Sequence, residues 1–411
     1  MTRAGADVIG VILAAGKGTR MLPFSERDPK PILPILGKPL LQHQIECLRD
    51  IGVRRVIVVI GHLGFAIVRA LGDGHELGVE IEYIDQGQTL GIAHAVSKLE
   101  SVIDQPFMLF LGDIFFLHED LGSMLTMLGR DEVRGVLAVK EEPSTEAIRR
   151  NFVVIEDEHG FVRRVIEKPR YPATRVKGCG LYLFDPTFFD AVRRTPRTAM
   201  RDEYEITDAI QIFVDDGHRV RTARVVRDDL NLSHPADLLD INLRLLGEQN
   251  LIGRDVRLAT GCRVERSVIM DGAVVEHPIA ICDSLVLPGV TVGASSASGS
   301  GRGRSAYTAI DDASTARRIG RPAICCRRFS VPIRLTSASR TKCSTLARME
   351  TIAASCRTAS TPSSAARTAA GSRMSPSTTR AAAGRFSRRP IEKSSSTVTA
   401  SPRATSARAR W

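Results

Sequence analysis

Residues 8–14 read Val-Ile-Gly-Val-Ile-Leu-Ala and run directly into Ala15-Gly16-Lys17-Gly18-Thr19-Arg20, with Lys30 between two prolines ten residues on. A short β-branched run that empties into a glycine loop leaves few folds open. It reads as the first strand of an α/β sheet with an anion-binding loop at its carboxyl end. Gly16 and Gly18 let backbone N–H groups turn toward an anion with no Cβ in the way. Arg20 and Lys30 bring the charge that neutralises a polyphosphate. Neither common nucleotide loop fits. A Walker loop closes on Gly-Lys-Ser/Thr, where this chain has Gly18-Thr19-Arg20, and a dinucleotide fingerprint needs a third glycine that Met21-Leu22-Pro23 does not supply.

The rest of the first half keeps the cadence. Apolar or alternating runs at 8–14, 55–60, 79–84 and 106–111 predict strands, and helical spacing at 40–51, 64–71 and 91–99 predicts the helices between them. The expected fold is α/β, a doubly wound Rossmann-like mixed sheet whose ligands lie off the carboxyl ends of its strands. Gly112-Asp113 falls at such an end, although a lone Asp there reads first as a turn or cap residue. Further on, Ile252, Leu258 and Val264 are six apart, and after a shift of four Val268, Val274, Ala280, Val286 and Val292 continue six apart. That hexad predicts a short left-handed parallel β-helix.

Charge divides the chain. The formal net charge is +11, but residues 295–411 hold 22 Lys and Arg against 4 Asp and Glu, so that segment is +18 and the remainder is −7. A mildly acidic body argues against nucleic acid as a partner. The basic segment is Ser, Ala, Thr and Arg with scarcely a periodic apolar run, a composition that cannot offset chain entropy by burial. Two readings of it stand side by side: a disordered tail, or an out-of-frame product of a GC-rich message. The eight cysteines form no CxxC pair, so neither a zinc site nor a disulfide framework is expected. No apolar stretch reaches bilayer length and no signal-peptide core opens the chain, which predicts a cytoplasmic protein without membrane partners.

The string Leu13-Ala14-Ala15-Gly16-x-Gly18-Thr19-Arg20-Met21, followed by Pro29-Lys30-Pro31, resembles the signature of the sugar-1-phosphate nucleotidylyltransferases. The resemblance covers about residues 8–250. Regions 71–81 and 91–95 look most like the long-form glucose-1-phosphate thymidylyltransferases. It implies that Leu13, Ala14, Gly16, Gly18 and Thr19 hold the nucleotide, and that Gln86 and Gly91 meet a pyrimidine base. It assigns catalysis to Arg20, Lys30 and Lys168. Glu167-Lys168-Pro169, with Gly180 and Tyr182, would take the sugar phosphate, and Mg2+ would bind Asp113 and Asn231. Asn231 stands where an aspartate is usual, as it does in some relatives that use UTP, and Asp228 or Asp229 could substitute for it. Phe152 falls on a position that is often glycine, which leaves the sugar open. Residues 201–208 match a helix start with Thr207 as cap, and His94 reads as an ordinary helix residue.

The implied activity is transfer of a nucleoside monophosphate from dTTP or UTP to a sugar 1-phosphate, forming an NDP-sugar and pyrophosphate. Glucose 1-phosphate with dTTP is the first expectation. UTP with a glucose or N-acetylglucosamine phosphate is the alternative. A non-catalytic sugar-nucleotide-binding homologue is a reading of another class, and such a chain would have lost Arg20 or Asp113. The expected domains are a nucleotidyltransferase domain at 1–248, a partial β-helix at 249–294 with no second activity, and the tail at 295–411. An open edge on the last coil would favour a homo-oligomer.

Overall fold

The computed structural model describes residues 5–199 and 202–293, together with the backbone of Ala306–Ala309 and Arg328–Val331. All lie in one compact unit, Met1–Arg340, and the unit Thr341–Trp411 falls outside the described residues. The expectations for the tail therefore rest almost wholly outside them. Arg201 lies outside them as well.

Four parallel strands form one half of a nine-stranded sheet, in the order Phe107–Leu111, Ile9–Leu13, Arg55–Ile60, Glu80–Asp85. Gly10 pairs with both Val56 and Met108, so Ile9–Leu13 is central and covered on both faces. A parallel strand in that position has no solvent side, hence its unbroken apolar sequence. Helices Leu40–Asp50, Gly64–Leu71 and Ile92–Ser97 connect the strands. In the first, Leu40, Leu41, Gln44, Ile45 and Leu48 make the buried stripe, a helical face laid on the sheet. Separate apolar cores fill the two faces, one around Val11, Ile57 and Phe107 and the other around Ile12, Val58 and Phe110.

The other half is antiparallel and shapes the site. Val176–Phe184 pairs with Phe107–Leu111 on one side, with Leu181 opposite Phe110, and reaches Phe152–Glu156 through Lys177 opposite Val153. Its register with Val133–Glu141 slips between Gly178 and Tyr182. Gly180 takes φ +73° at this irregularity, a left-handed conformation that a Cβ would strain. The strand thus changes partners at Gly178–Gly180 and opens a gap at the carboxyl edge of the parallel half. A separate antiparallel pair, Ile114–His118 with Val226–Asn231, sets Asn231 opposite Ile114.

Beyond helix Pro235–Leu246, short strands stack in parallel: Leu251 on Val268 on Leu285, Arg257 on Val274 on Thr291, and Arg263 on Ala280. Each step is 17 residues, and three small sheets result. The pairing shows how the hexads close into coils. Because each coil closes after 17 residues, a six-residue count drifts by one position per coil. Ile252 therefore stacks with Ile269 and Val286. A third core joins the stack to the body, combining Met21, Phe24 and Leu40 with Leu238, Leu239, Val268 and Leu285. Arg328–Val331 adds a parallel strand beside Ser284–Val286.

Candidate active site

The loop after Ile9–Leu13 crosses the end of the sheet and closes in a single 3-10 turn, Thr19–Met21. Gly18 is left-handed at φ +63°, and a Cβ there would stand 3.1 Å from Lys30 Cγ. Glycine at this position thus serves both the turn and the close passage of the lysine stem. The Gly112 N–H donates to the Leu13 carbonyl at 2.9 Å, lacing this loop to the next. Lys30 Nζ comes within 3.5 Å of Asp113 Oδ2. Arg20 is exposed and has no ion-pair partner among the described residues.

Asp113 sits in the two-residue link between Phe107–Leu111 and Ile114–His118. Its side chain is 46% exposed. Helix residue Gln44, fully buried, donates its amide N–H groups to the carbonyls of Leu111 at 2.9 Å and Ile114 at 2.7 Å, one on each side of that link. Nothing in the chain hints at this clamp beyond a glutamine on the apolar face of a helix. The Leu232 N–H donates to the Asp113 carbonyl at 2.9 Å, so Asn231 arrives beside Asp113. Asn231 Nδ2 donates toward the Asp229 carbonyl at 3.4 Å, leaving Oδ1 as its open acceptor oxygen.

Asp228 and Asp229 are not spare ligands. Asp229 pairs with Lys177 at 2.5 Å and Lys140 at 2.9 Å, and Asp228 pairs with Lys140 and Arg244. Burial pushes the Asp228 carboxyl up, but Lys140 and Arg244 overcome it and hold it below its usual value. Burial likewise opposes the Lys140 ammonium, and the two aspartates raise it above the usual lysine range. This ion network was missed at the sequence level. Its one signal is a lysine inside the otherwise apolar run Val-Lys-Gly-Cys-Gly-Leu-Tyr-Leu-Phe.

On the opposite wall, Glu167 ends strand Val162–Glu167, and Lys168 follows in a left-handed conformation, φ +43°. A non-glycine residue held there marks local strain, of the kind that persists where surrounding structure enforces it. The Lys168 N–H donates to the Asn151 carbonyl at 2.7 Å, and Lys168 Nζ lies 3.3 Å from Glu167 Oε1. Thr207 does not cap its helix. Glu205 is the N-cap, and the Thr207 hydroxyl instead donates to Glu167 Oε2 at 3.4 Å. The Phe152 ring occupies the gap over Gly178, where a Cβ would stand 1.8 Å from Phe152 Cζ, and it stacks on the buried Tyr182 at 6.2 Å. Burial raises the Tyr182 phenol well above its ordinary range, so it stays protonated.

At the far end, Gln86 follows Glu80–Asp85 and faces the Gly91 carbonyl at 3.4 Å. All fifteen residues singled out from the sequence line one cleft of about 650 Å3. They are Leu13, Ala14, Gly16, Gly18, Thr19, Arg20, Lys30, Gln86, Gly91, Asp113, Glu167, Lys168, Gly180, Tyr182 and Asn231. A second pocket of about 720 Å3 adjoins it, sharing Arg20, Arg150, Asn151, Lys168 and Asn231. Among the described residues no group of three or more His, Cys, Asp or Glu side chains forms a metal cluster, and no helix is long and apolar enough to cross a membrane.

A mixed Rossmann-like sheet with a glycine loop, cations and a carboxylate at its switch point defines a nucleotidyl-transfer site. The nucleotidyl transferase family model matches residues 9–230, and the chain belongs to that family. It joins a nucleoside triphosphate to a sugar 1-phosphate, forming an NDP-sugar and pyrophosphate. It is 35% identical over 238 residues to the UTP–glucose-1-phosphate uridylyltransferase AglF of Haloferax volcanii, covering 58% of this chain and 96% of that protein. It is 31% identical over 299 residues to a glucose-1-phosphate thymidylyltransferase of Streptomyces antibioticus, covering 69% and 82%. A UDP-glucose pyrophosphorylase crystallised with UDP-glucose has the same fold, with TM-score 0.52 and 22% identity, over 58% of this chain and 98% of that one.

Proposed function

We propose that the chain transfers UMP from UTP to glucose 1-phosphate. The relatives support this over dTTP, the first expectation from the sequence: identity is higher to the uridylyltransferase, 35% against 31%. Asn231, present in some UTP-dependent relatives at this position, favours the same reading. The observation that carries the assignment is the cleft itself. It is lined by Arg20, Lys30, Asp113 and Lys168 together with Gln86, which we read as the base-reading amide, and Glu167, which we read as the sugar-reading carboxylate.

A sugar phosphate oxygen attacks the α-phosphorus in line, and the protein's task is alignment and charge neutralisation. Backbone N–H groups of the 13–19 loop hold the triphosphate. The Arg20 guanidinium takes two oxygens of the departing pyrophosphate in one plane. Lys30 stands between the nucleotide phosphates and Asp113, and Lys168 flanks the sugar phosphate. Glu167, fixed by Thr207, accepts bonds from sugar hydroxyls. Phe152 and Tyr182 bound the sugar side with stacked rings.

Magnesium fits the donor set. Asp113 and Asn231 offer two hard oxygens on adjoining backbone, one charged, which is the sparse protein share that Mg2+ takes when phosphates and waters complete its shell. When bound, the ion would neutralise phosphate charge and screen the two substrates from each other. We take residues 1–248 as the catalytic domain. Residues 249–294 are read as a left-handed parallel β-helix, supported by three parallel sheets with a common 17-residue step. The test is pyrophosphate release from a matrix of UTP, dTTP, CTP, ATP and GTP against glucose, galactose and N-acetylglucosamine 1-phosphates. Fastest turnover with UTP and glucose 1-phosphate is expected. A preference for dTTP would overturn the nucleotide assignment.

A further inference from the structure

Gln86 is 4% exposed, and its amide is held at two points: Nε2 lies 3.4 Å from the Gly91 carbonyl and 3.4 Å from His94 Nδ1. A carbonyl only accepts, so the nitrogen end of the amide must face Gly91, and the orientation of the group follows. With both N–H groups directed inward, Oε1 is what the amide has left to offer. It accepts no hydrogen bond among the described residues, and Gln86 lines the cleft. Nδ1 of His94 must then carry its lone pair, which places the proton on Nε2.

We propose that His94 is a positioning residue for nucleotide choice: its Nδ1 holds the Gln86 amide so that only Oε1 faces the base, selecting a pyrimidine whose ring nitrogen carries a proton. Uracil and thymine present that N–H. Cytosine presents a bare acceptor nitrogen, and two acceptors facing each other repel. The inference rests on the pyrimidine-triphosphate reading above and adds the device that enforces it.

The surroundings favour the neutral imidazole. His94 packs on Tyr204, ring centroids 6.2 Å apart, and the Tyr204 backbone also holds the loop, donating to the Leu90 carbonyl at 2.7 Å and accepting from the Ala93 N–H at 3.0 Å. Lys98 on its own helix and Arg197 from the facing segment are the charged groups turned toward it. Arg197 itself lies over the Tyr204 ring and pairs with Asp202. Burial first, then these two cations, lower the imidazole from its ordinary value of 6.5. Protonation in acid would turn Nδ1 into a donor facing a donor, releasing the amide.

The experiment measures steady-state kinetics of the full-length protein with UTP and with CTP, at saturating glucose 1-phosphate, for wild type, His94→Leu and His94→Asn. His94→Leu should raise KM for UTP about tenfold, the worth of one hydrogen bond, with kcat within about twofold. The UTP over CTP preference should fall by a similar factor. His94→Asn, whose Oδ1 can stand near the place of Nδ1, should recover most of both. In wild type KM for UTP should climb as pH falls through the lowered value of this imidazole, and in the asparagine variant it should stay level. A leucine variant with unchanged KM and unchanged UTP over CTP ratio would overturn the role of His94, as would the same pH profile in all three proteins. Failure of wild type to use any pyrimidine triphosphate would instead overturn the reading on which the proposal stands.

Discussion

Lys177→Met is the most informative single change outside the proposed chemistry. Lys177 and Asp229 have side chains only 3% and 1% exposed, with Nζ and Oδ2 2.5 Å apart. Methionine keeps the length and volume of the lysine stem and removes the charge, so packing is nearly constant. What remains is a buried carboxylate that has lost one of two cations. Removing one partner of a buried pair costs roughly 3–5 kcal/mol, because the survivor keeps its desolvation penalty. Lys140 Nζ stays 2.9 Å from the other Asp229 oxygen, which puts the expected loss at the lower end, about 3 kcal/mol. For a body of this size that corresponds to a drop in Tm of about 6–12 °C. Urea unfolding followed by far-UV circular dichroism measures it. Pairing the change with Asp229→Leu should return stability to within about 1 kcal/mol of wild type, since two apolar groups need no compensation. A single-variant loss under about 1 kcal/mol, or a double variant no better than the single, would refute the account of the network.

Four further outcomes follow from the same structure. Asp113→Asn should lower turnover at least about 100-fold at saturating magnesium with unchanged Tm, because the side chain is 46% exposed, and Asn231→Ala should cost less. Arg20→Ala should lower kcat by about two orders of magnitude, with Arg20→Lys recovering only part; an unchanged kcat with a raised nucleotide KM would move Arg20 to ground-state binding. Gly178→Ala should destabilise by about 1–3 kcal/mol beside Phe152 and by almost nothing in a Phe152→Ala background, a coupling that denaturation of all four proteins would measure. Asp228, its carboxyl held below the usual value, should contribute stability that is fully present above about pH 4 and is lost as pH falls through its lowered value; an Asp228→Asn variant with the same acid midpoint as wild type would contradict this.

The parallel half of the sheet was legible because its strands are buried on both faces, and such strands carry their environment in their composition. Strands Ile9–Leu13, Arg55–Ile60 and Phe107–Leu111 fall within a residue of the expected bounds. The cleft residues were legible for a different reason: a phosphate loop needs glycines and cations in a fixed order along a short stretch of chain. Contacts between distant segments left no such trace. Gln44 reaches Leu111 and Ile114 across nearly seventy residues, and Lys177 meets Asp229 across 52. Thr207 looked like a cap because threonine before a helical run usually is one; the fold instead turns its hydroxyl to Glu167. The six-residue spacing is visible in the chain, whereas the coil of 17 shows only once the strands are paired.

That closure makes the strand stack a ruler graduated in whole turns. Deleting 17 residues would shorten it by one rung, about 4.8 Å, and return every later residue to its own column. Deleting 18 would carry each later side chain one place along its strand: buried Val292 would take the column of exposed Thr291, and exposed Glu276 would take the column of buried Val275. Length in this part of the molecule is therefore free to vary only in discrete steps, while the cleft, held by the sheet, stays at constant size.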